Sequence, residues 1–407
     1  MPDSRYRGDT SSTSSRSSRS SRSSRSSRSS RSSRSHGARL ATYRAVSAAL
    51  AKYGDDELNA LVRGADPLGS GIGGRSALLD VDGTQVFVKR VPLTAADTLP
   101  ENVRSTANVY GLPAICHYGI GGPGFGAWQE LAVHEMTTNW VLAKDFQGFP
   151  LTYHWRVLPD YASDSGDADD SGTLGALGAL DDAPALPEEL ADVDQVVAFW
   201  DGSPEVRRRL EGLQEASASL TLFLEYVPGT LHQWLGKRIE EGGESADRAC
   251  SWVDEALHAG TSFMNSRGLI HFDAHFENIL TDGRRLYFAD YGLALSSGFG
   301  LSPEHTRFFE RHRTYDRCYT ITYLVKWLIT AVNEYGRDER EAMIRACAQG
   351  AHPDELPDAA AAIVTRYAPL ATVFADFSRT LQNESRRTPY PWEELHRIGA
   401  GRDLFVS

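Results

Sequence analysis

Apolar residues follow two different periods along this chain, and the switch between them divides it. Residues 39–63 carry Tyr43, Val46, Leu50, Leu58 and Leu61 at helical spacing around a turn at Tyr53-Gly54-Asp55, which predicts a helical cap. Residues 76–81 and 85–91 alternate instead, on either side of Asp82-Gly83, and predict a β-hairpin. A helix is predicted over 128–142, a strand over 149–158, a helix over 204–218 with proline at its start, and an apolar strand over 220–227. Beyond Pro228-Gly229 the pattern is helical. It predicts an amphipathic helix over 245–267, with Ser245 as N-cap and Gly268 as stop, a long apolar helix over 319–335, and mostly helices to the end. Strands first and helices afterwards imply an α+β class: a small antiparallel sheet in an N-terminal lobe, then a mainly helical C-terminal lobe. At 407 residues the chain is long enough for each lobe to have a core.

Two stretches fit neither period. Residues 11–35 are an Arg-Ser-Ser repeat without an apolar residue. Such a segment cannot bury enough surface to offset its ordering entropy, so residues 1–38 are expected to form a disordered tail. It reads as a solvated tail, an anion-docking arm or a phosphorylation target, since each phosphate adds about −1.5 to −2 of charge. The second stretch, 160–218, is predicted to be an acidic insertion in the first lobe. Residues 160–215 hold fifteen acidic residues against three Arg, and two helices are predicted after Pro187. A solvated loop is its plain reading; attraction of the basic tail, a self-association at low salt, is the sharper one.

The formal net charge of −12 hides this asymmetry. Residues 1–39 contain ten Arg and two Asp, a net of +8, which leaves −20 for the rest. An acidic body makes nucleic acid an unexpected partner. The 4 Cys have no metal-ligand spacing and suit a reducing compartment. The N-terminus lacks the apolar stretch of a signal peptide, and residues 319–332 are too short and too polar to span a bilayer. A cytoplasmic location without membrane contact is therefore expected.

The chemistry concentrates in residues 269–293, LIHFDAHFENILTDGRRLYFADYGL. Asp273 is followed five residues later by Asn278, and twelve further on by the triplet that begins at Asp290. Asp273 is suited to accept a proton from a hydroxyl, and Asn278 and Asp290 offer the hard oxygens that Mg²⁺ prefers. Upstream, Gly69, Gly71 and Gly74 form a GxGxxG run, a weak signal alone, and Lys89 lies fifteen residues after the third glycine within VFVKR. In order and spacing these residues resemble the protein-kinase-like superfamily, whose signature is H-R-D-x-x-x-x-N followed by D-F-G. Phe272 stands in place of the signature Arg, and Tyr291 in place of Phe. His275 resembles the D-x-H-x-x-N form of small-molecule and antibiotic phosphotransferases.

The resemblance implies a bilobal kinase-like fold, with residues 39–227 as the N-lobe and 228–407 as the C-lobe. It implies in-line transfer of the γ-phosphoryl group of ATP to a hydroxyl. Gly69, Gly71 and Gly74 would cover the phosphates, Lys89 would grip them, and Asn278 and Asp290 would hold Mg²⁺. The backbone of Glu225, Tyr226 and Val227 would meet the adenine. Asp273 would be the base, His271 a packing residue, His275 a contact of the γ-phosphate, and Asp316 a structural anchor of the loop. A carboxylate must fix Lys89: Glu130 is favoured and Glu135 is the alternative, because five residues apart on a helix they lie about 500° around and cannot face one point. The acceptor stays open. Asp-Tyr-Gly-Leu-Ala, the Ser302-Pro303-Glu304 ending and the Ser-rich tail point to a Ser/Thr protein kinase. Phe272, His275 and only eleven residues between Gly292 and Glu304 point to a small-molecule kinase. A pseudokinase scaffold is the remaining reading.

Overall fold

The computed structural model describes residues 35–71, 74–119, 123–160, 192–333, 335–401 and 404–405. The tail over 1–34 and the first half of the acidic insertion lie outside the described residues. Two helices open the described residues, α1 (His36–Leu50) and α2 (Asp55–Arg63), separated at the sequence-predicted turn. Strands β1 (Asp66–Gly71), β2 (Gly74–Val81) and β3 (Thr84–Leu93) follow, then a 3₁₀ turn at Ala114–Tyr118, helix α3 (Ala127–Ala143) and strand β4 (Thr152–Pro159). Helices α4 (Val193–Phe199) and α5 (Pro204–Gln214) lead into β5 (Ala218–Glu225). The five strands form one antiparallel sheet in the order β1-β2-β3-β5-β4.

The period-2 alternation of β3 sorts its side chains between two layers. Val86 and Val88 join Val46, Leu50 and Leu58 of the first two helices in the main core. Phe87, Val91 and Leu93 face the other way, against Trp128 and Leu131 of α3. Lys89 lies between Phe87 and Val91 on that second face, so the strand itself aims it at α3. The acidic segment corrects the solvated-loop reading for its second half. Val196, Val197, Trp200 and Val206 pack against Leu112, Cys116 and Phe125, and Arg209 forms a buried 3.0 Å pair with Asp97.

After β5 come β6 (Gly229–Thr230), α6 (Leu231–Glu241) and α7 (Gly243–Ser266), then the short strands β7 (Leu269–Ile270), β8 (Ile279–Thr281), β9 (Leu286–Phe288) and β10 (Leu295–Ser296). Helices α8 (Pro303–Arg311), α9 (Tyr315–Asn333), α10 (Arg337–Ala348), α11 (Asp358–Asn383) and α12 (Trp392–Ala400) complete the chain. The architecture is thus mixed α+β: an N-terminal antiparallel sheet followed by a largely helical region. Ser245 is not the N-cap of α7, which begins two residues earlier; its hydroxyl bonds to Glu241 at 2.7 Å. No helix among the described residues is long and apolar enough to cross a membrane. One buried cluster runs through both regions, from Val46 and Val133 to Phe288, Leu324 and Phe374.

Candidate functional site

Three elements converge on Lys89. Its Nζ donates to Glu130 Oε1 at 2.7 Å and to Asp290 Oδ1 at 2.9 Å. Glu130 sits in the first turn of α3 and is only 2% exposed; burying a carboxylate is costly in general unless a cation answers it. Glu135 points elsewhere: it pairs with Arg104 at 2.8 Å and accepts from Trp155 Nε1 at 3.2 Å. Burial pulls the Lys89 ammonium down, but Asp290 and Glu130 outweigh it and hold its pKa above the ordinary lysine value. For Asp290, burial favours the neutral acid, and the Lys89 charge overrides this to hold it at about 2. The Asp290 side chain remains 40% exposed.

The loop over 271–278 is shaped from beneath. Asp316 of α9 accepts from the backbone N–H of His271 at 2.7 Å and of Phe272 at 2.9 Å. Burial, opposed by these two bonds, raises the Asp316 carboxyl to about 6. Phe272 has φ 64°, a conformation costly for an aromatic residue, and Asp290 has φ 62°. Such strain, of order 1–3 kcal/mol per residue, persists only where the surroundings enforce it. His271 Nδ1 accepts from Asp273 N at 3.3 Å, so its proton is on Nε2, which donates to Ala289 O at 3.0 Å. Burial lowers its pKa and keeps the ring neutral. His271 therefore ties the start of the loop to the residue before Asp290.

Asn278 closes the loop. Its Nδ2 reaches both Asp273 O, at 3.0 Å, and Asp273 Oδ2, at 2.9 Å. Two oxygen partners identify that atom as the nitrogen, and they leave Asn278 Oδ1 as the group turned elsewhere. His275 is 4% exposed. Its Nδ1 accepts from the backbone of Glu277 at 3.2 Å and of Asn278 at 3.3 Å, and its Nε2 lies 3.7 Å from Asp273 Oδ1. It thus braces the loop around Asp273 from within.

Phe272 occupies a neutral pocket. Its ring packs on Tyr315 at 4.8 Å, His117 at 5.2 Å and Phe308 at 5.6 Å. His117 belongs to the 3₁₀ turn; its Nδ1–H donates to Leu293 O at 2.8 Å, and burial lowers its pKa to about 3. The segment after Asp290 is tied down further by Ser297 N to Gly268 O, at 2.8 Å, and by Gly300 N to Thr106 Oγ1, at 3.2 Å. Tyr291 stacks edge-on between His134 at 4.7 Å and His271 at 5.4 Å.

The glycines and the β5 end frame the other side. Gly69 and Gly71 lie in β1 and Gly74 begins β2, with Gly71 paired to Gly74. The run is therefore the closing end of a hairpin, and positions 72–73 at its tip lie outside the described residues. Glu225 ends β5; its N–H donates to Leu151 O at 2.7 Å. Neither the N–H nor the C=O of Val227 has a hydrogen-bond partner among the described residues. Sequence reasoning missed the contributions of Arg39, Gln147 and His117. Arg39 had a signal, because it continues the stripe Tyr43, Val46 and Leu50 at helical spacing.

Among the described residues, no group of three or more His, Cys, Asp and Glu is placed to hold a metal. Asn278 and Asp290 offer one amide oxygen and one carboxylate; Mg²⁺ in general takes one or two carboxylates from protein and completes its shell with phosphates and water. A cavity of about 960 Å³ opens elsewhere, between α6, α9 and the 355–357 turn, and includes His232, Lys237, Trp327 and Leu356 in its wall. None of Lys89, Glu130, Asp273, Asn278 and Asp290 lines it. Neither protein-family models nor curated proteins give a match to this chain.

Proposed function

We propose that this chain is an ATP-dependent phosphotransferase of the protein-kinase-like fold that acts on a hydroxyl, with Ser/Thr protein side chains as the acceptor. The observation that carries this reading is the meeting of Lys89, Glu130 and Asp290, drawn from a strand, a helix and a loop that are 41 and 201 residues apart from Lys89 in sequence. A buried lysine held charged by two carboxylates, one of them exposed, suits the grip of a polyphosphate. Glu130 fixes the ammonium, and the remaining N–H of Lys89 faces the ligand. Asp273, held by Asn278, orients and deprotonates the acceptor hydroxyl. Mg²⁺, held by Asn278 and Asp290, would neutralise phosphate charge as it develops. The unpartnered backbone of Val227 would meet the adenine edge, and the Gly69, Gly71 and Gly74 hairpin would cover the phosphates.

A second reading, a small-molecule kinase, is favoured by the segment after Gly292. It folds back on the loop through β10 and β7 and offers little length for a peptide platform. Intact-mass spectrometry of the full chain with Mg²⁺-ATP separates the readings. Phosphates on residues 11–35 are expected with the wild type and not with Asp273→Ala, which lowers transfer about 10²–10⁴-fold while nucleotide binding stays largely intact. Nucleotide binding without any mass change would favour a small-molecule acceptor. Absence of binding would leave a pseudokinase.

A further inference from the structure

Arg39, in the first turns of α1, is 3% exposed. Its Nε and Nη2 donate to Glu225 Oε1 at 3.0 Å and Oε2 at 2.6 Å. Its Nη1 donates to Gln147 O at 3.1 Å and Oε1 at 3.3 Å, and Nη2 donates again to Phe149 O at 2.8 Å. All five N–H groups of the guanidinium are therefore used. The guanidinium also lies 5.3 Å from the centre of the Tyr287 ring in β9. Glu225 Oε2 accepts in addition from Leu151 N at 3.1 Å. One side chain thus joins α1, the turn after α3, the end of β5 and the strand that runs into Asp290. The same turn bonds that strand directly, Phe288 N to Gly148 O at 3.0 Å.

A buried ion pair is weak evidence for stability, because desolvating both partners offsets their attraction. Its geometry is another matter. A planar fork with every donor engaged has one orientation, and a lysine cannot reproduce it. Glu225 is two residues from Val227, whose backbone N–H and C=O have no partner among the described residues. We infer that Arg39 is a positioning residue: it fixes where β5 ends, and so presents the backbone of residues 226–227 to the nucleotide. This rests on the phosphotransferase reading above. It makes α1, which precedes the glycine hairpin, part of the nucleotide site without touching the nucleotide.

The test compares full-length wild type with Arg39→Lys and Glu225→Gln. A fluorescent ATP analogue with Mg²⁺ is titrated, thermal unfolding is recorded, and amide exchange is followed at Leu151, Glu225 and Phe288. Loss of one charge-assisted bond corresponds to about tenfold in affinity. Arg39→Lys is expected to weaken nucleotide binding by that factor, leave the acceptor KM unchanged and speed exchange at Glu225; Glu225→Gln does the same should the lysine variant not fold. Wild-type affinity in both variants, with only a lower Tm, would overturn the inference and make the pair a structural staple. If the wild type binds no nucleotide, the phosphotransferase reading fails instead. Unchanged exchange at Glu225 would then also remove Arg39 as a positioning residue.

Discussion

Two buried cations in this molecule are surrounded by carboxylate in different ways. Lys89 meets Glu130 and Asp290, and its third N–H has no partner among the described residues; Arg39 meets Glu225 and three further acceptors, and has no donor left over. Glu130 is sealed while Asp290 is 40% exposed, so the lysine cluster is open on one side. The arginine cluster is closed. Open charge held in a fixed position can act on something that arrives; closed charge can only hold what is already there. The residue types suit the two tasks, since an ammonium is a point charge and a guanidinium a rigid fork.

Removing each cation in turn breaks the comparison if it is wrong. Arg39→Met strands Glu225 and two backbone carbonyls, and should lower stability by about 3–5 kcal/mol, read from urea unfolding. Lys89→Met should lower kcat/KM by about 10²–10³-fold, as loss of a preorganised donor does, in a steady-state assay with the acceptor identified by mass. Equal and purely structural losses in the two would erase the distinction. A smaller effect concerns acid. The Asp290 carboxyl is held at about 2, below the ordinary aspartate value, so its share of stability is present above that ordinary value and fades as pH falls towards 2. Its exposure keeps that share small. In Lys89→Met the carboxyl should titrate at higher pH, and a carboxyl-carbon NMR titration would show it; an unmoved midpoint would contradict a dominant role for Lys89. Smallest of all, Glu135→Ala should change stability by no more than about 1 kcal/mol and leave transfer intact, since its partner Arg104 is exposed.

A third region sharpens the contrast through the absence of charge. Phe272 lies in the loop next to Asp273, yet its neighbours are Tyr315, Phe308 and a neutral His117. The segment after Asp290 is held there by packing and by the bond from His117 Nδ1 of the 3₁₀ turn to Leu293 O. An ionic lock would need a phosphate or carboxylate to complete it; an aromatic one is complete when the chain folds.

Much was legible in the sequence because period and spacing are local properties. The alternation over 76–91 specified a hairpin and put Lys89 on one face of it, and the run from Asp273 to Asp290 specified the spacing of the polar residues that flank β8 and β9. The acidic composition of 192–215 was legible too, but not that its apolar residues pack on the 3₁₀ turn. Local pattern set the elements and the spacing of the polar groups between them. Only the tertiary structure decided which carboxylate meets Lys89, since Glu130 and Glu135 differ in helical phase and the helix can be rotated until something packs against it. It also decided the hydrogen-bond partners of Arg39, which are 108 to 186 residues away. The physical reason is that a charge in a folded protein is governed by what desolvates it and what answers it, and both come from parts of the chain that sequence order does not bring together.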